Sequence, residues 1–93
     1  MFDWDAGNAN KNLVHGVHDW EIEEACLDLG ARVVDHQWVR RELRSVLLGR
    51  CSTTGKYLRV VYTLRPDSSG SERVRPISAV QMTASERRRY LRK

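Results

Sequence analysis

The feature that most constrains this chain is a change of hydrophobic period at Gly30. Before it, apolar residues recur at helical spacing; after it they fall into short alternating runs separated by small, polar, glycine-containing segments. Strand propensity and turn chemistry together predict strands over Ala31–Val34, Leu43–Arg50, Tyr57–Arg65 and Glu72–Ala79. Ser52-Thr53-Thr54-Gly55 and the stretch from Pro66 to Ser71 are readable as turns, which makes the set an antiparallel meander. The stretch Asp35–Arg41 has neither pattern and is expected to be a loop. Along the third strand Leu58, Val60, Tyr62 and Leu64 share one face, and Tyr57, Arg59, Val61, Thr63 and Arg65 the other. In the last strand Arg73, Arg75 and Ile77 fall on one side, so several guanidinium groups are expected on a single surface.

Short helices flank this sheet. Phe2 and Trp4, alternating with Asp3 and Asp5, suggest a brief first strand, and Asp5 suits the N-cap of a helix from Ala6 to about His15 that Gly16 ends. A second helix is expected from His18 or Asp19 to Gly30, with Trp20, Ile22, Ala25, Cys26 and Leu29 as its apolar stripe and an acidic opposite face suited to a basic protein partner. Thr83-Ala84-Ser85-Glu86 spells a capping box, so a third helix runs on through Arg87, Arg88, Arg89, Tyr90 and Leu91. The expected fold is a single α+β domain over 1–93.

Charge is distributed by position. Residues 1–30 hold seven acids against Lys11 alone, whereas residues 31–93 hold fifteen Lys and Arg, thirteen of them Arg, against five acids. The planar guanidinium fork matches phosphate oxygens two at a time, so a polyanion, RNA above all, is the expected partner; the competing reading is a generic solvated basic surface. No apolar run approaches the roughly 20 residues of a membrane span, and the opening residues are acidic where an export signal is basic. A cytoplasmic protein without membrane contact is expected. Cys26 and Cys51 form no CxxC pair and read as buried thiols.

Several chemistries lack their sequence requirements. The chain has no GxGxxG, no phosphate-loop lysine motif and no GxSxG, and His15 and His18 have no third ligand placed by spacing, so neither cofactor nor metal is expected. What remains is a histidine, a lysine and arginines acting on RNA, whose own 2′-hydroxyl is the nucleophile. His15 is the candidate proton carrier and Lys11, four residues earlier, would share its helix face; Arg50, Arg59 and Arg75 are the electrostatic candidates. Equally, His15 could simply complement a helix C-terminus. Arg87, Arg88 and Arg89, in the last turn of the third helix, have the same structural reason to exist. Trp38, Tyr57 and Tyr90 could stack on bases or pack.

Several strings occur in a specific order: Phe2-Asp3-Trp4-Asp5, Lys11-Asn12 then His15-Gly16-Val17, Glu23-Glu24-Ala25, Gly49-Arg50, Gly55-Lys56, Val60-Val61-Tyr62-Thr63, Arg75-Pro76-Ile77-Ser78-Ala79, Met82-Thr83 and Glu86-Arg87-Arg88-Arg89-Tyr90. In this the chain resembles the BrnT toxins of bacterial type II toxin–antitoxin pairs, over nearly its whole length. The resemblance implies a RelE-like fold and a metal-independent ribonuclease that arrests growth and is neutralised in a hetero-oligomer with a small DNA-binding, BrnA-like antitoxin. On that reading His15, Lys11 and Arg75 are catalytic, and Arg50, Arg59, Arg73 and Arg65 bind RNA. Two positions depart from the pattern: Val14 stands where many members carry lysine, and Val80 where many carry arginine. They favour the alternative, a noncatalytic RNA-, DNA- or antitoxin-binding module of the same fold.

Overall fold

The structure is a computed structural model that describes residues 1–92. A 3-10 helix, η1 (Lys11–His15), and an α-helix, α1 (Asp19–Leu27), precede four strands, β1 (Arg32–Val39), β2 (Glu42–Arg50), β3 (Tyr57–Pro66) and β4 (Glu72–Gln81), and a last helix, α2 (Ala84–Leu91). The strands form one antiparallel sheet in the order β1-β2-β3-β4, the expected meander. Register aligns Leu47 with Val60 and Val60 with Ala79, so these side chains share a face. With Val17, Ile22, Ala25 and Leu58 they make the buried core, flanked by Trp4, Cys26, Ala31 and Tyr62. Contact with α1 is closest at Gly49, where a Cβ would overlap the Ala25 carbonyl oxygen. Only glycine fits there.

The region expected to be an α-helix from Ala6 is instead a set of turns followed by η1. Its polar side chains take over the backbone groups that a helix would use. Asp5 Oδ1 accepts from the Gly7 amide at 2.7 Å, Asn8 Oδ1 accepts from the Asp5 amide at 2.9 Å, and Asn10 sits in the left-handed region at φ 60°. This segment closes the outer edge of β4. Phe2 pairs with Val74 in a single parallel bridge, which replaces the expected first strand. Farther along, Asn8 Nδ2 donates to the Pro76 carbonyl at 2.9 Å, and Asn12 Oδ1 accepts from the Ala79 amide at 2.9 Å. Since the Pro76 carbonyl points outward, its ring nitrogen does too, so the missing N–H costs the β3–β4 ladder nothing.

The other departure is at β1. The strand continues through Asp35 to Val39, with a register shift between Val33 and Asp35, and a two-residue turn at Arg40-Arg41 replaces the expected loop. A second shift falls between Val61 and Tyr62, leaving Ile77 out of the pairing and breaking its alternation with Arg75. On the face opposite the core, α2 packs at one end of the sheet. Its Thr83–Glu86 capping box is formed as expected, Glu86 pairs with Arg59 at 3.0 Å, and the Arg89 and Arg92 carbonyls accept from Arg32.

Candidate nucleic-acid interface

The acidic first third of the chain is largely spent on holding the fold. Glu21, whose side chain is 0% exposed, accepts from the His18 amide, from Thr54 Oγ1 at 2.9 Å and from Lys56 Nζ at 2.9 Å. Burial opposes its ionisation, but these donors together hold its carboxyl below the usual range. Glu23 accepts from the Trp4 indole at 2.7 Å. Glu24 gathers Thr53, Cys51 and Ser52, and chiefly the Thr53 hydroxyl brings its carboxyl down to about 2. Asp28 joins the Tyr90 hydroxyl to the Gly30 and Arg50 amides. The open acidic face expected on α1 is therefore a network of internal acceptors.

Many of the expected RNA ligands are likewise engaged. Arg75 has a side chain only 12% exposed, with its guanidinium on Asp5 at 3.0 Å and Asp3 at 3.4 Å. The Arg75 bond, with the Gly7 amide, holds the Asp5 carboxyl low. Arg59 meets Glu86 at 3.0 Å, Arg65 meets Glu42 at 3.3 Å and Arg73 meets Asp67 at 3.5 Å. The single surface of free guanidinium groups is thus replaced by carboxylate-paired ones. Among the described residues, Arg50, Arg87, Arg88 and Arg89 have no carboxylate within ion-pair distance.

Of these, Arg50 and Arg87 meet at the end of the sheet where β2 turns into β3 and α2 begins. The Arg87 guanidinium lies 4.0 Å over the Tyr57 ring and that of Arg50 lies 5.6 Å from it. Tyr90 meets the same ring edge-on at 5.7 Å, and burial followed by the Asp28 bond pushes the Tyr90 hydroxyl up to about 12. Tyr57 and Arg87, with Lys56, Gln81 and Met82, line a cleft of ≈ 280 Å³. Lys56 was missed as a site residue because a lone lysine in a turn carries no spacing signal. Arg87 was discounted as a helix-end cation.

His15 stands exposed at the end of η1, next to Gly16 at φ 72°. The Gly16 carbonyl accepts from Lys56 Nζ at 2.8 Å, which brings the His15 turn to the wall of that cleft. Lys11 is exposed at the start of η1 but does not share the face of His15. A 3-10 helix advances about 120° per residue, so positions four apart diverge by about 120° instead of the roughly 40° of an α-helix. The structure therefore places the His15 turn and Arg50 at the same end of the sheet, His15 on the η1 side and Arg50 on the face that α2 covers, with Lys11 on a different side of η1 and Arg75 tied to Asp3 and Asp5. Val14 is 83% exposed, and Val80 lies directly across from Arg59.

Both cysteines are free. Cys51 is buried as expected, whereas Cys26 is only partly so, its thiol pushed up to about 12 by burial and then Glu23. His36 Nδ1 lies 2.9 Å from Ser45 Oγ. Among the described residues no group of three or more His, Cys, Asp or Glu side chains could hold a metal ion, and no helix is long and apolar enough to cross a membrane.

No curated protein matches the chain in sequence. The sequence profile of a family described as "Ribonuclease toxin, BrnT, of type II toxin-antitoxin system" matches residues 4–86. That span takes in most of the edge-sealing segment, η1, α1, the whole sheet and the start of α2. The chain belongs to the BrnT family of ribonuclease toxins of type II toxin–antitoxin systems.

Proposed function

We propose that this chain cleaves RNA without a metal ion at the end of the sheet that carries the His15 turn, Arg50 and Arg87, and that a cognate antitoxin, BrnA-like in kind, neutralises it. The observation that supports this reading is that an exposed histidine, in a turn held through Gly16 by Lys56, stands at the same end of the sheet as the cations bracketing Tyr57, which have no carboxylate partner. His15 in its imidazole form takes the proton of the 2′-hydroxyl, or as imidazolium gives one to the departing 5′-oxygen. The 2′-oxygen–phosphorus bond forms as the 5′-oxygen–phosphorus bond breaks, leaving a 2′,3′-cyclic phosphate. Arg87 and Arg50 stabilise the charge that accumulates on the phosphorane. Lys11, on another side of η1, holds a flanking phosphate. Lys56 positions the His15 turn, and Arg75 fixes residues 3–7, a role in place of phosphate binding.

A second reading, binding without cleavage, is favoured by Val80, which leaves Arg59 without a neighbouring cation on β4. One experiment separates them: purified protein is incubated with end-labelled RNA in excess chelator and the product ends are identified. Cyclic-phosphate ends whose formation falls at least about 100-fold in His15→Ala and in Arg87→Ala, the scale of general acid–base and electrostatic contributions, are expected. Intact RNA with binding retained would sink the nuclease reading in favour of the second.

A further inference from the structure

The end of the molecule farthest from the His15 turn carries a surface that the nuclease reading does not use. Here, beyond the cover of η1 and α1, the core face of the sheet turns outward. Trp38 is 73% exposed, and its cross-strand neighbour Leu43, together with Leu64, is more than two-fifths exposed. With Pro66 they line a hollow of ≈ 570 Å³, larger than the cleft beside Arg87. Single exposed apolar residues need no explanation, but a contiguous concave group does.

The hollow's rim is the turn between β1 and β2. Val39 pairs with Glu42, so Arg40 and Arg41 alone form the turn, at φ 49° and 67°. Two-residue hairpin turns with both residues in the left-handed region favour Asn-Gly, because L side chains with a bulky Cβ substituent are strained there. This chain places two arginines at the position, and neither has a carboxylate within ion-pair distance among the described residues. Local strain that the fold does not require points to a use outside the fold. Alongside, the outer edge of β1 pairs with no strand among the described residues, whereas the β4 edge is closed by residues 1–12.

We propose that the Trp38–Leu43–Leu64 hollow and the Arg40-Arg41 tip bind the antitoxin, through a segment with an apolar ridge flanked by carboxylates. The apolar ridge fills the hollow, and the carboxylates answer the two unpaired guanidinium groups. RNA is the poorer occupant. Glu42 and Glu72 line the same hollow and would repel phosphate, and Trp38 is the one aromatic there on which a base could stack. The partner's identity rests on the family reading above; the surface does not.

The test uses the full chain and the product of the adjacent reading frame, with binding followed by titration calorimetry and RNA cleavage measured in parallel. Arg40→Asn/Arg41→Gly removes both charges while giving the turn its favoured residues, so the variant melts higher than the parent. It and Trp38→Ser are each expected to weaken the complex at least tenfold and to leave RNA cleavage unchanged; salt weakens parental binding more steeply than binding by the double variant. Unaltered affinity in both variants overturns the proposal. So does loss of RNA cleavage, which would make RNA the occupant, or a change in the oligomeric state of the chain alone, which would make it a second copy. If the parental chain forms no complex, the antitoxin reading fails and takes this proposal with it, while the cleavage assay still decides the nuclease reading.

Discussion

Replacing Lys56 by methionine keeps the length of the side chain and removes the ammonium that joins Glu21 to the Gly16 carbonyl. Glu21 is then a fully buried carboxylate with only the His18 amide and the Thr54 hydroxyl as donors. Removing one partner of a buried ion pair costs about 3–5 kcal/mol. The Lys56 side chain is 30% exposed, so water replaces part of what is lost, and the expected cost is about 2–3 kcal/mol. For a domain of this size that lowers the melting temperature by about 10–20 °C. The loss must also depend on pH. The native Glu21 carboxyl titrates below the 4.5 of an unperturbed glutamate, so its ionised form stabilises the fold above that pH, and the contribution disappears as pH falls through the native value. In Lys56→Met burial is less opposed and the carboxyl titrates higher, so the stability gap narrows as the solution becomes acidic. Urea unfolding of both proteins between neutral and acid pH reads the gap directly. A gap below about 0.5 kcal/mol at neutral pH, less than one ordinary hydrogen bond, would refute the reasoning, as would a gap that acid does not narrow.

Gly49→Ala forces a methyl group into the Ala25 carbonyl and is expected to cost about 3 kcal/mol or more, seen as loss of the cooperative thermal transition. Arg75→Ala frees the Asp5 carboxyl, whose titration followed by NMR rises toward the unperturbed 3.8, while RNA cleavage persists because Arg75 is placed outside the reacting group. Glu24, at about 2, stabilises the Ser52–Thr53 turn fully above the unperturbed 4.5 and loses that contribution progressively as pH falls from there through about 2, so the protection of the Thr53 amide against exchange should decline across that window and not at neutral pH.

What could be read from residues alone follows how local each signal is. The strands β2, β3 and β4 and the Thr83–Glu86 box are set by neighbours in sequence and are found close to where they were read, although the shift at Ile77 breaks the expected alternation of β4. Asp5, Asn8 and Asn12 are different. Their partners include Pro76 and Ala79, far along the chain, and nothing within residues 6–15 announces that the polar side chains there would serve a strand edge. The Arg40-Arg41 turn escaped notice because arginine is a poor guide to a positive φ. Charge counting located a basic half, but pairing is a property of three dimensions. Arg59, Arg65, Arg73 and Arg75 proved to be engaged, which shifts weight to Arg50 and to Arg87, a residue explained too readily by the helix dipole.

The seal along β4 also bears on the order in which the protein can be completed as it is made. Asp5 waits for Arg75, Asn8 for Pro76 and Asn12 for Ala79, partners 67 to 70 positions later in the chain. Until those residues leave the ribosome, the first dozen have no strand to close and η1 has no edge to rest on. The loop that must close is long, so these contacts belong to the slow, nonlocal part of folding. His15 rides on η1, and Arg87 is translated later still. On the reading proposed above, an incomplete nascent chain cannot assemble the site, and a growing toxin is inert until Arg87 has been added.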